Sequence, residues 1–141
     1  MATRRKQLID GLVTEIGQAV DVEPSNVHRS FKYLDEINDF PSVCLLPKNE
    51  ARSQRSDNRR LGIIEVALRG YVFDENNLDT AEFLAQNVES KVDSFAANTA
   101  AKANGVADAR VVTFRTDEGL FEPYGIADLE LQILYDVDEN V

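Results

Sequence analysis

Two stretches of this chain alternate apolar and polar residues, and that alternation constrains the fold more than any other feature. In Leu61–Phe73, Ile64, Val66, Leu68 and Val72 share one face. In Ala127–Tyr135, Ala127, Leu129, Leu131, Ile133 and Tyr135 do the same. A period of two puts successive side chains on opposite sides of a strand, so each segment reads as a strand with one face on a core. The other face of the first strand, Ile63, Glu65, Ala67, Arg69 and Tyr71, is mixed. Such a face turns to solvent or to another subunit.

Between and before these strands the period changes. Leu8, Ile9, Leu12, Val13, Ile16 and Val20 recur at three- and four-residue steps, which predicts a helix from Thr3 to Val20 with Thr3 as cap and Pro24 past its end. Ala81, Leu84, Ala85, Val88, Val92 and Phe95 form a second such stripe. Asp79-Thr-Ala-Glu82 has capping-box spacing at the start of that helix, which runs to about Phe95 or Ala97. Val43–Leu46, bracketed by Pro41 and Pro47, reads as a short buried strand. Ala109–Arg115 reads as another strand, Asn104-Gly105 as a turn, and Arg29–Tyr33 as a weak edge strand.

These elements predict an α+β fold. Its sheet is mixed and mostly antiparallel, with about four strands and two helices on one face, in the order α-β-β-α-β-β. A length of 141 residues suits a single domain spanning 1–141, with long loops at 47–60 and 116–125 and a frayed acidic tail at 137–141. Residues 48–60 hold five basic and two acidic residues and almost nothing apolar, so they read as a mobile basic loop or an extended hairpin tip.

Composition narrows the function. Hydrophobic residues at 43% and charged residues at 28% are ordinary for a globular chain, and no apolar run approaches the roughly 20 residues of a membrane span. The N-terminus is basic but lacks the apolar stretch of a signal peptide. One cysteine excludes an internal disulfide and fits a reducing compartment. Residues 1–60 carry a net charge of +1 and residues 61–141 carry −11, so the chain as a whole is no general phosphate binder.

Catalytic signatures are missing from the sequence. His28 is the only histidine and has no local nucleophile or orienting acid beside it. Cys44, between Val43 and Leu45, reads as a small buried apolar residue. Asp117-Glu118 and Asp136-Val-Asp138-Glu139 could hold a hard cation, but neither has the spacing or the glycine of a calcium loop. No phosphate loop, dinucleotide fingerprint or nucleophile elbow occurs. The expectation is a non-enzymatic protein with no cofactor and no metal.

What remains is two decorated loops on a rigid sheet, the usual setting for partner contact. Arg52, Arg55, Arg59 and Arg60 give one loop its charge and suit it to an acidic patch on a neighbouring copy. Leu120-Phe-Glu-Pro-Tyr124 puts two aromatics and a proline in the other. With the mixed-face residues Glu65 and Arg69, and with Asp117, Glu118, Phe121 and Tyr124, these arginines make up the expected interface.

The run Phe31-Lys-Tyr-Leu-Asp-Glu-Ile-Asn-Asp-Phe-Pro-Ser-Val43 resembles the aromatic, then Phe-Pro-aliphatic, segment of bacteriophage tail terminator (tail completion) proteins. Arg69-Gly-Tyr-Val72, the Ala81–Val92 helix, Asp117-Glu-Gly119 and Pro123-Tyr-Gly-Ile126 are similar to that family as well, so the resemblance covers about residues 7–136. It implies a virion protein, assembled in the host cytoplasm, that forms a ring, typically a hexamer, on the head-proximal end of the tail tube. There it stops tube polymerisation and offers a docking surface to the head connector. Implied partners are further copies of the chain, the tube protein and the connector or neck protein, with DNA passing through the lumen and no membrane contact. A head–tail joining protein, a tube-type subunit and a small metal- or ligand-binding module are the alternatives.

Overall fold

The alternation in Leu61–Phe73 becomes one long strand, and the sheet is built outward from it. A computed structural model describes residues 4–19, 22–54, 60–98, 102, 105–118 and 121–137. Its elements are α1 (Arg4–Ile16), β1 (Val27–His28), β2 (Ser42–Gln54), β3 (Arg60–Phe73), α2 (Asn77–Ala97), β4 (Val106–Thr116) and β5 (Tyr124–Asp136), with 3-10 turns at Pro24–Asn26 and Leu34–Glu36. The five strands lie in the order β1-β2-β3-β5-β4. Only β1 and β2 run parallel; every other pair is antiparallel. The fold is α+β, with one strand more than the sequence suggested.

Burial follows the periodicity. Ile64, Val66, Leu68 and Val72 are no more than 2% exposed, and the odd-numbered face of β5 from Ala127 to Tyr135 is buried with them. Leu8, Leu12 and Ile16 of α1 and the whole Ala81–Phe95 stripe of α2 join the same core, so both helices pack on one side of the sheet. Gly105, at φ +87°, makes the turn into β4; its carbonyl accepts from the Asp136 amide at 2.8 Å.

Several boundaries differ from the sequence reading, each for a physical reason. The segment 48–54, read as loop, continues β2 to Gln54, which pairs with Arg60. Backbone pairing with β3 holds it without an apolar pattern of its own. Pro47 lies inside β2 rather than ending it, beside a register shift between Pro47 and Glu50. Beyond Cys44 the outer edge of β2 has no strand neighbour among the described residues, so no donor is missed there. The weak edge strand expected at 29–33 falls instead on Val27–His28. Helix α1 stops at Ile16, short of the expected Val20. Thr3, Val20, Asn104 and the tail from 138 onward lie outside the described residues. Asp79 is not the cap of α2 but sits in its first turn, because the helix begins at Asn77 after Asn76.

Tyr71 departs furthest from expectation. It belongs to the mixed face of β3 yet is 2% exposed, covered with Cys44 by Ile37 and the residues around Leu34 and Phe40. Its hydroxyl donates to the Lys32 carbonyl at 2.6 Å. The open face of the sheet therefore has a small core of its own at one end. Cys44 is fully buried there, and burial pushes its thiol pKa up.

Leu131 is fully buried at the centre of the main core. Leu131→Ala is expected to cost about 2–5 kcal/mol, read as a lower denaturant midpoint at unchanged slope.

Candidate assembly surfaces

Strand β3 sets two ends roughly 40 Å apart, from 13 steps of about 3.3 Å. The candidate interface residues gather at both ends and on the open face between them.

At the hairpin end a nearly buried carboxylate organises the structure. The register shift in β2 brings Glu50 opposite Ile64, on the helix side, where its side chain is only 9% exposed. Tyr135 donates its hydroxyl to both Glu50 oxygens at 3.0 and 3.1 Å. Arg52 Nε donates to Oε2 at 2.5 Å, and Arg5 Nε lies 3.3 Å from Oε1. A carboxylate taken out of water needs the Tyr135 and Arg52 donors and, beside them, the Arg5 charge, whose Nε makes no hydrogen bond among the described residues. Burial, and then the bond to Glu50, pushes the Tyr135 phenol pKa up. The Tyr135 ring lies over Gly62, where an added Cβ would stand 2.4 Å from ring carbon Cε1. Arg4 donates to the Asp136 carbonyl at 2.9 Å, and the Arg60 carbonyl accepts from the Val137 amide at 3.0 Å. These contacts bind β2, β3, β5 and the start of α1 into one stiff end. Arg52 and Arg60 are exposed on it, whereas Arg55 and Arg59 lie outside the described residues.

On the open face, charged rows cross the strands. Arg69 grips Asp128 of β5 through two bonds, Nε at 2.7 Å and Nη2 at 3.1 Å, a bidentate pair. Its guanidinium carbon also lies 5.6 Å from the centre of the Phe31 ring. The pair raises the guanidinium pKa further, so Arg69 stays charged at any working pH. Lys48 approaches Glu130 at 3.7 Å. Glu65 is exposed in mid-strand, opposite Gln132.

At the far end Asp117 anchors the β4–β5 connection. One carboxylate oxygen accepts from the Ile126 amide at 3.4 Å and the other from the Phe121 amide at 3.3 Å. Glu118 is exposed in the left-handed region at φ 57°, and Phe121 is 49% exposed. Tyr124 packs with Phe40 and Phe73, ring centres 5.1–6.0 Å apart. Arg69, Asp117 and Phe121 line one shallow cleft of about 320 Å³ together with Tyr33 and Tyr71.

The structure thus brings Arg69, Asp117, Phe121 and, through Phe73, Tyr124 to one end, and places Arg52 and Arg60 at the other. Sequence reasoning missed Glu50, Tyr135, Asp128 and Phe40. Their roles depend on strand register, which a single sequence does not display. No group of three or more potential metal ligands occurs among the described residues. No helix there is long and apolar enough to cross a membrane.

The model of the bacteriophage tail tube terminator protein family matches residues 4–141. The chain belongs to that family. This tail terminator family member is accordingly a structural component of a phage tail. A solved structure, the virion of a native gene transfer agent particle, contains a chain of similar fold. The two share 12% identity at a TM-score of 0.56, over 95% of this chain and 92% of that one. At that identity the likeness speaks for the fold alone. Comparison with curated proteins gives no match.

Tyr135→Phe leaves Glu50 short of one donor in a place water barely reaches. It is expected to lower stability by about 1–3 kcal/mol in equilibrium denaturation, with helix content unchanged by circular dichroism.

Proposed function

We propose that this protein is a non-enzymatic ring subunit that caps the head-proximal end of a phage tail tube. It ends tube polymerisation and presents a docking surface to the head connector. The reading rests on family membership over nearly the whole chain. One geometric fact supports it: unlike surfaces stand at opposite ends of a single long strand. A subunit with two unlike surfaces makes heterologous contacts, and these close into a ring when the rotation between copies allows. The predominance of carboxylates suits a lumen through which DNA slides, because contact there releases few counterions.

Purified protein mixed with tail tubes is expected to form a ring at one end of each tube in negative-stain images. A strictly monomeric protein that leaves tube ends bare would count against the proposal. In virus lacking the gene, overlong tubes are expected; normal-length tails without heads would point to a joining role instead. Replacing Arg52, Arg55, Arg59 and Arg60 together with Ser is expected to leave the protein folded but less stable by about 1–3 kcal/mol, because Glu50 loses the Arg52 donor, and to impair ring formation or docking. Unaltered assembly of that variant would remove the basic hairpin from the set of contacts.

A further inference from the structure

Charge is sorted along β3. Around its Phe73 end, residues 31–41, 69–83, 115–118 and 121–128 hold three basic and eleven acidic side chains. Around its Arg60 end, residues 4–6, 48–54, 60, 105–110 and 132–137 hold seven basic and three acidic ones. The monomer is an electrical dipole on a rigid axis, so two copies approach most favourably with unlike ends together.

The acidic end also carries a cavity of a particular kind. A groove of about 260 Å³ lies between the first turns of α2 and the Phe40–Pro41 segment, lined by Phe40, Phe73, Asp74, Phe83, Leu84 and Asn87. Phe73 and Phe83 are 56% and 52% exposed, an unusual condition for two large rings beside one groove. Asp79 and Glu82 of α2, with Glu122 of the β4–β5 connection, stand exposed in the segments that flank it. The amide nitrogen of Asn87 is shut off from solvent with no acceptor among the described residues.

Ring faces fringed by carboxylates match a guanidinium, which stacks flat on an aromatic and forks onto an acid. The protein already uses this chemistry within itself, where Arg69 sits between Asp128 and Phe31. We infer that this groove receives the arginine-bearing β2–β3 hairpin, with Arg52 and Arg60, of a second copy of the chain. The contact joins a basic end to an acidic end, and repeating it carries the ring from one subunit to the next. The inference rests on the ring reading above and adds which surfaces meet.

The test uses the full chain and tail tubes. Reversing the acidic end (Asp79→Lys, Glu82→Lys, Glu122→Lys) or the basic end (Arg52→Glu, Arg60→Glu) is expected to lower the fraction of capped tubes by roughly tenfold or more. Combining both sets in one chain is expected to restore most of it. A wild-type chain that caps tubes, beside reversed variants that cap equally well, would overturn this contact and leave the ring reading standing. Losses in both variants without recovery in the combined chain would also overturn it, because each end would then meet a different partner such as the tube or connector. A wild-type chain that never caps tubes would remove both readings. Because Arg52→Glu sets two carboxylates side by side and can unsettle the hairpin, a second measurement uses Arg52→Cys with Phe83→Cys. In assembled rings a short thiol crosslinker is expected to give a covalent ladder of copies on a denaturing gel. Single copies only would refute the contact.

Discussion

Strand β3 is the constraint on which the other elements depend. It pairs with β2 on one side and β5 on the other over nearly its full length, and its apolar face supplies the floor for both helices. A strand that long would twist and fray in isolation. Here the Tyr135–Glu50 contact stiffens one end, and the Tyr71–Lys32 bond with the Phe40–Phe73–Tyr124 ring cluster stiffens the other. The result is a long bar with two differently finished tips.

Much of this was legible in the residues. Period-two alternation in Leu61–Phe73 and Ala127–Tyr135 identified the central pair, and period-3.6 stripes identified both helices, because burial on one side imposes those spacings directly. Residues 48–54 were not legible as strand. They are polar on both faces, and their backbone is held by pairing with β3 rather than by any side-chain pattern. Asp79 misled because its spacing to Glu82 fits a cap, while Asn76 and Asn77, which leave no such pattern, start the helix.

The interface was legible in part. Arg69, Asp117, Phe121 and Tyr124 share an end of the molecule because β3 and β5 are antiparallel, a fact about pairing that no local motif states. Asp128 completes the Arg69 pair from across the sheet, 59 residues away in sequence. Their spread over distant parts of the sequence hid the clustering of carboxylates at one tip. Topology gathers them: the start of α2, the β4–β5 connection and the segment before β2 all arrive there. A tail protein with polar ends is suited to directional assembly, where each added piece must recognise one side of the last.

On the function proposed for it, this protein works from a single place, the end of the tube nearest the head. The most direct measurement is an image of the virus particle with the protein carrying a small electron-dense label. Label confined to the junction between tail and head is the predicted result. Label distributed along the tube, or missing from finished particles, would contradict it.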